Sequence, residues 1–176
     1  MRLDSVRLAD EREMDPRTPR VWRPGRWRFD APDGQYPVSY AGSTFEVTVA
    51  EKFQDTRLIQ EKHRRQRVWQ ITSDRPLRLV PLDVSQAQAQ LGTDARIWSE
   101  VNYPTTQAWA LALYRWYQDA DGIRYTPRHV QEETSFALFL DRCANALSPT
   151  DLRRLDDDRA ALLRVAVPRQ IVVDFS

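Results

Sequence analysis

The order of apolar and polar positions predicts a chain that mixes strands with helices. A short strand is expected at Val6–Leu8, and Tyr36–Ala41 reads as an extended run that Gly42-Ser43 ends. Ser43-Thr44-Phe45-Glu46 then has capping-box spacing, in which the serine oxygen takes one free helix amide and the glutamate reaches back to another. A helix should begin here, with Phe45, Val49 and Phe53 repeating every four residues as its buried stripe. Glu51 lies off that stripe, free to face a groove.

Residues 57–67 carry five Arg or Lys and His63, after which Val68–Ile71 reads as extended. Leu77–Leu82 is a second run of strand formers, and Pro81 within it favours an edge or a terminus. Thr105-Thr106 after Pro104 starts a helix through Trp109, Leu113, Trp116 and Tyr117 that ends before Asp121-Gly122. Ile123–Tyr125, Phe136–Leu140 and Ile171–Phe175 read as three further strands, and Asp151–Val165 as a charged amphipathic helix. The first thirty residues are crowded with Arg, Asp, Glu and Pro. They read as an arm, broken at Asp15-Pro16-Arg17-Thr18-Pro19-Arg20 and anchored by Trp22 and Trp27. No regular βαβ rhythm emerges, so the expected class is α+β.

A length of 176 residues, 41% of them hydrophobic, fits one compact domain over 1–176. Lys and Arg total 26 against 25 Asp and Glu, so bulk charge does not draw the chain to nucleic acid. The segment Lys62-His63-Arg64-Arg65-Gln66-Arg67 either touches phosphates or forms a solvated face. The glycines at 25, 34, 42, 92 and 122 are too dispersed for a dinucleotide fingerprint or a P-loop. One Cys and two separated His cannot build a zinc site, so no metal is expected. Cys143 reads as an inert buried thiol or, paired with His63 or His129, as a nucleophile. No apolar run is long enough to span a membrane and no signal-peptide pattern opens the chain. A reducing cytoplasmic setting is the expectation.

Several segments change this picture when taken in order: Arg28-Phe29-Asp30, Tyr36-Pro37-Val38-Ser39-Tyr40, Val49-Ala50-Glu51, Leu91-Gly92-Thr93 and Thr106-Gln107-Ala108-Trp109-Ala110. Asp121-Gly122-Ile123-Arg124-Tyr125, Arg128-His129 and Ala137-Leu138-Phe139 follow. From about residue 6 to about residue 140 this succession resembles the RES domain, the toxin half of many bacterial toxin–antitoxin modules. The resemblance implies an ADP-ribosyltransferase-like fold, with a mixed sheet core and flanking helices. It also implies NAD as a substrate rather than a resident cofactor, and a partner antitoxin carrying an Xre-like domain. A homo-oligomer is a further expected assembly.

Of the family's defining Arg, Glu and Ser, the resemblance places the Glu at Glu51 and the Arg at Arg28, with Arg7 as a less secure second. The serine belongs to a Tyr-x-Ser-Arg sequence, whereas this chain reads Tyr125-Thr126-Pro127-Arg128. Pro127 thus stands at the serine position; either Thr126 supplies a displaced hydroxyl or that contact is missing.

The implied chemistry suits these residue types. Nicotinamide leaves NAD neutral, so the demand falls on the positive charge developing at the ribose, which a carboxylate such as Glu51 stabilises. Ordinary glycoside hydrolysis needs a second carboxyl to protonate its leaving oxygen. Pyrophosphate calls for the guanidinium fork of Arg28 and Arg7, with Arg128 behind them. Tyr40 is the expected stacking partner of nicotinamide, Tyr36 or Tyr125 a neighbouring wall, and Thr126 a hydrogen-bonding partner of the ribose or amide. Water, phosphate or a protein side chain would accept the ADP-ribose. Each residue also has an ordinary reading: Glu51 as a solvated charge, Tyr40 as a core edge, Arg28 stacked on aromatics. His129 is given no catalytic role. Two alternatives stand beside the enzyme: a catalytically impaired nucleotide- or partner-binding protein, and a nucleic-acid module using residues 57–67.

Overall fold

Alternation of side chains along each strand decides which residues face which layer. In the computed structural model, which describes residues 1–10, 15–17, 24–92 and 103–176, β1 (Asp4–Ala9) sends Ala9 to one face, where Leu3 just before the strand also packs, and Val6 and Leu8 to the other. β1 pairs antiparallel with β2 (Val38–Gly42) and with β4 (Arg67–Ser73). Outward from β2 lie β7 (Ser135–Phe139), β6 (Gly122–Tyr125) and β5 (Leu79–Pro81); outward from β4 lies β8 (Leu147–Arg154). The seven-stranded sheet is mixed because β5 runs parallel to β6. A separate parallel ladder joins β3 (Leu58–Ile59) to β9 (Val172–Val173).

Three main helices pack onto the sheet. α1 (Phe45–Phe53) buries Val49 and Phe53 beside Leu8 and Val68, where Leu162, Val165 and Ala166 of α6 (Arg159–Ala166) join them. α4 (Tyr103–Trp116) buries Ala110 and Leu113 against Val38, Ile123, Ala137 and Phe139. The register opposes Val6 to Gly42, Tyr40 to Ala137 and Tyr125 to Ser135, so α1 and α4 share one face of the sheet. The opposite face packs Trp69, Ile71, Phe136 and Leu138 around Cys143 of the short α5 (Leu140–Cys143). Two short helices, α2 (Glu61–Arg64) and α3 (Ser85–Gln90), lie in the connections.

This is the α+β arrangement expected, with Pro81 ending an edge strand. Several boundaries differ for local reasons. Thr44, not Ser43, caps α1, its oxygen accepting from Val47 N at 3.3 Å. Ser43 instead donates to Glu133 Oε2 at 2.7 Å, and Glu46 pairs with Arg169. Residues 151–154 extend β8 rather than begin a helix, because this edge strand exposes its charges while pairing with β4, and Asp151 ion-pairs with Arg67. α6 starts later, where the Asp158 carboxylate caps Ala161 N at 2.8 Å. The strand expected over 171–175 contracts to Val172–Val173, and Phe175 lies beneath the guanidinium groups of Arg64 and Arg159. Trp27 is 49% exposed and anchors through its backbone rather than its ring; Trp22 and Thr93 lie outside the described residues.

Candidate active site

The site forms where α1, the turn at 26–30 and the loop after β6 meet above the shared sheet face. Glu51 is in the last turn of α1, half-buried, and its Oε1 accepts from the backbone N–H of His129 at 3.3 Å. The next loop residues are held close by one carboxylate. Asp55, one helical turn beyond Glu51, ion-pairs with Arg128 and lies 3.1 Å from His129 Nε2. Val130 follows, packed against Val47 and Ala50 of α1.

Arg28 is 9% exposed, and its fully buried Nε has no hydrogen-bond partner. Among the described residues no ion pair or hydrogen bond engages its guanidinium. A charge taken out of water without a partner costs several kcal/mol, roughly, so such a group is poised for an anion. Tyr125 links the two ends of the site: burial, and then the negative charge of Glu51, push its phenol up, while Arg28 and the Ser135 hydroxyl pull it back. The Tyr125 ring packs on Phe29 with centroids 4.7 Å apart.

The turn carrying Arg28 is clamped from both sides. Tyr36 Oη donates to Phe29 O at 3.2 Å, and Phe29 N donates to Tyr40 Oη at 2.9 Å. Tyr40 Oη in turn donates to Asp30 Oδ1 at 2.9 Å, while Asp30 Oδ2 accepts from Arg26 N and Trp27 N at 3.0 and 2.8 Å. Burial raises the Asp30 carboxyl above the usual range, opposed by the Trp27 amide, Tyr40 and the Arg26 amide. Burial and the Asp30 charge hold the Tyr40 phenol well above its ordinary value. Gly25, at φ +69°, permits the turn, and Gln107 of α4 fixes it by donating to Trp27 O at 2.8 Å.

The structure therefore brings Glu51, Arg28, Tyr125 and Tyr40 to one region, with Arg128 adjoining through Asp55. Thr126 is half-buried and Pro127 buried in the same loop. Tyr36 is 1% exposed, stacked on Tyr114 at 4.3 Å, and supports the site from below rather than walling it. Arg7 is not brought in: alternation along β1 places it on the opposite sheet face, where it donates to Pro16 O at 2.7 Å. Cys143 is fully buried on that same opposite face and pushed up to about 12 by burial, which makes it an inert thiol. Asp30 enters the sequence reading only within its motif and without a role, and Asp55 and the His129 amide not at all; a hydrogen bond made through backbone or across seventy positions leaves no local pattern.

The basic segment is largely neutralised by its neighbours. Arg65 pairs with Glu61 and Arg67 with Asp151 on the surface, while the buried Arg64 pairs with Asp156, which favours a structural segment. Two surface cavities of about 350 and 570 Å³ lie around β5 and residues 75–78, and neither is lined by Glu51, Arg28 or Tyr125. No group of His, Cys, Asp and Glu suited to a metal ion occurs among the described residues. No helix among them is long and apolar enough to cross a membrane.

The same arrangement of elements occurs in the M. tuberculosis MbcT–MbcA toxin–antitoxin complex. A chain of that complex superposes with a TM-score of 0.64 at 14% sequence identity, covering 95% of this chain and 90% of its own. No curated protein matches the chain. A family model described as RES domain matches residues 5–161, a span that contains Arg28, Glu51 and the loop after β6. The chain belongs to the RES domain family.

Proposed function

We propose that this protein is the toxin of a toxin–antitoxin pair and consumes NAD by breaking its nicotinamide–ribose bond. The observation that carries the reading is the pairing, across Tyr125, of a half-buried Glu51 carboxylate with a buried Arg28 guanidinium that has no partner among the described residues. A dinucleotide offers both groups what they lack: a pyrophosphate for the cation and a sugar that becomes cationic for the anion.

In this reaction the C–N bond to nicotinamide breaks and its electron pair stays with the departing neutral base. Glu51 stabilises the oxocarbenium-like ribose left behind, a preorganised charge worth most where water is excluded. Arg28 grips the pyrophosphate and so fixes the ribose against Glu51. Water adds to the ribose carbon and loses a proton, giving ADP-ribose; phosphate in its place gives the 1″-phosphate, and a protein side chain gives a modified target. Tyr40, whose hydroxyl is committed to Phe29 N and Asp30, serves the site by shaping the Arg28 turn. The antitoxin partner, Xre-like in this reading, is supported by the toxin–antitoxin complex in which the similar fold occurs.

One observation favours a second reading. Pro127, buried in the loop after β6, stands where the resemblance expects a serine, so a chain that binds the dinucleotide without turning it over is the alternative. Incubating purified protein with NAD, with and without phosphate, and identifying the products separates the two. Free nicotinamide with ADP-ribose or its 1″-phosphate supports the enzyme; binding of NAD with no product supports the impaired form.

A further inference from the structure

We propose that Asp30 is a positioning residue that keeps Arg28 unpaired and aimed into the site by spending its own carboxylate on the turn that carries it. This inference rests on the NAD reading for its ligand, and on geometry alone for the positioning. A buried carboxylate two residues from a buried guanidinium would ordinarily pair with it. Here it does not. Asp30 is 2% exposed; one oxygen is filled by the amides of Arg26 and Trp27 and the other takes the Tyr40 hydroxyl.

The consequence is a division of labour within three consecutive residues. Phe29 is held through its carbonyl by Tyr36 and through its amide by Tyr40. Asp30 closes the turn, and Arg28 is left buried with its Nε unsatisfied. Ligand binding would then need no reorganisation of the cation, since the turn has already fixed it.

The role predicts a separation between charge and geometry. Asp30→Asn keeps an oxygen for the two amides and offers an NH₂ to Tyr40 Oη, so the turn survives without its charge. Asp30→Ala removes all three bonds. The experiment measures ADP-ribose affinity by calorimetry for the wild type, Asp30→Asn, Asp30→Ala, Arg28→Ala and the Asp30→Ala/Arg28→Ala double variant. In the same samples, ¹⁵N NMR follows the Arg28 Nε–H signal, and near-ultraviolet circular dichroism checks the fold.

The expected result is a loss of about tenfold or more in affinity for Asp30→Ala, a change within about threefold for Asp30→Asn, and a double variant no worse than Arg28→Ala alone. The Arg28 Nε–H should give a protected line in the wild type and Asp30→Asn, lost to solvent exchange in Asp30→Ala. A wild type that fails to bind ADP-ribose defeats the NAD reading while the NMR comparison still decides the positioning. Unchanged protection of Arg28 Nε–H in folded Asp30→Ala, or losses from the two single variants that simply multiply, would overturn the proposal.

Discussion

The backbone amide of His129 reaches across 78 positions of sequence to donate to Glu51 Oε1. This contact makes the orientation of the proposed catalytic carboxylate depend on a loop, and the loop depends on Asp55, whose carboxylate engages both Arg128 and His129. Asp55 is 56% exposed, so its ion pair is screened and contributes at most about 1 kcal/mol to stability. Its effect on the site is expected to exceed its effect on the fold.

Asp55→Ala should therefore leave the urea midpoint nearly unchanged and lower kcat/KM for NAD by roughly tenfold, because small displacements of a reacting group are costly. Exchanging the charges in Asp55→Arg/Arg128→Asp should recover part of that loss. Steady-state kinetics alongside urea unfolding checks both statements; equal losses in stability and activity would refute the orienting role.

Acid sensitivity offers a test on the far side of the sheet. Asp121, 5% exposed at its side chain, accepts from Arg75 Nη1 and Nη2 at 2.7 Å each and from Arg78 N at 2.9 Å. Although burial opposes it, these donors hold the carboxyl below its ordinary value of 3.8. A depressed folded value means stability that is present above the unfolded value and lost as pH falls through the folded one. Asp121→Asn should thus cost about 1–3 kcal/mol at neutral pH. The gap between the variant and the wild type should close progressively below pH 3.8, as urea unfolding over that range would show.

Gly122 sits where β6 passes β7 with no space for a side chain. An added Cβ would lie 2.5 Å from Ala137 O and 3.0 Å from Leu138 Cα, both backbone atoms that cannot yield. Gly122→Ala should lower stability by about 1–3 kcal/mol. At this chain length that is a fall in Tm of about 2–4 °C for each kcal/mol. Because β6 carries Tyr125, NAD affinity should fall with it, and thermal unfolding with a binding titration checks the pair.

Much of this organisation was legible in the chain, and the parts that were not share a physical reason. The stripe of Phe45, Val49 and Phe53 set α1 and left Glu51 off it, since helix periodicity is a local property. Pro81 marked an edge strand because a missing donor shows in one residue. By contrast, residues 151–154 look helical because an edge strand tolerates charges on its open side. The bond that ties the Tyr40 hydroxyl to Asp30 has no local signature, and Arg7 looks available until alternation along β1 puts it behind the sheet. Register and distant hydrogen bonds are settled by tertiary packing, which no window of sequence contains.

The central claim is that Glu51 stabilises the ribose as nicotinamide departs, and Glu51→Gln tests it most directly. Nicotinamide release from NAD should be followed by chromatography for the wild type and the variant, with ADP-ribose affinity measured on both. Loss of about a hundredfold or more in release, with affinity retained, is the result predicted for removing a preorganised charge. Undiminished nicotinamide release by folded Glu51→Gln protein would contradict it.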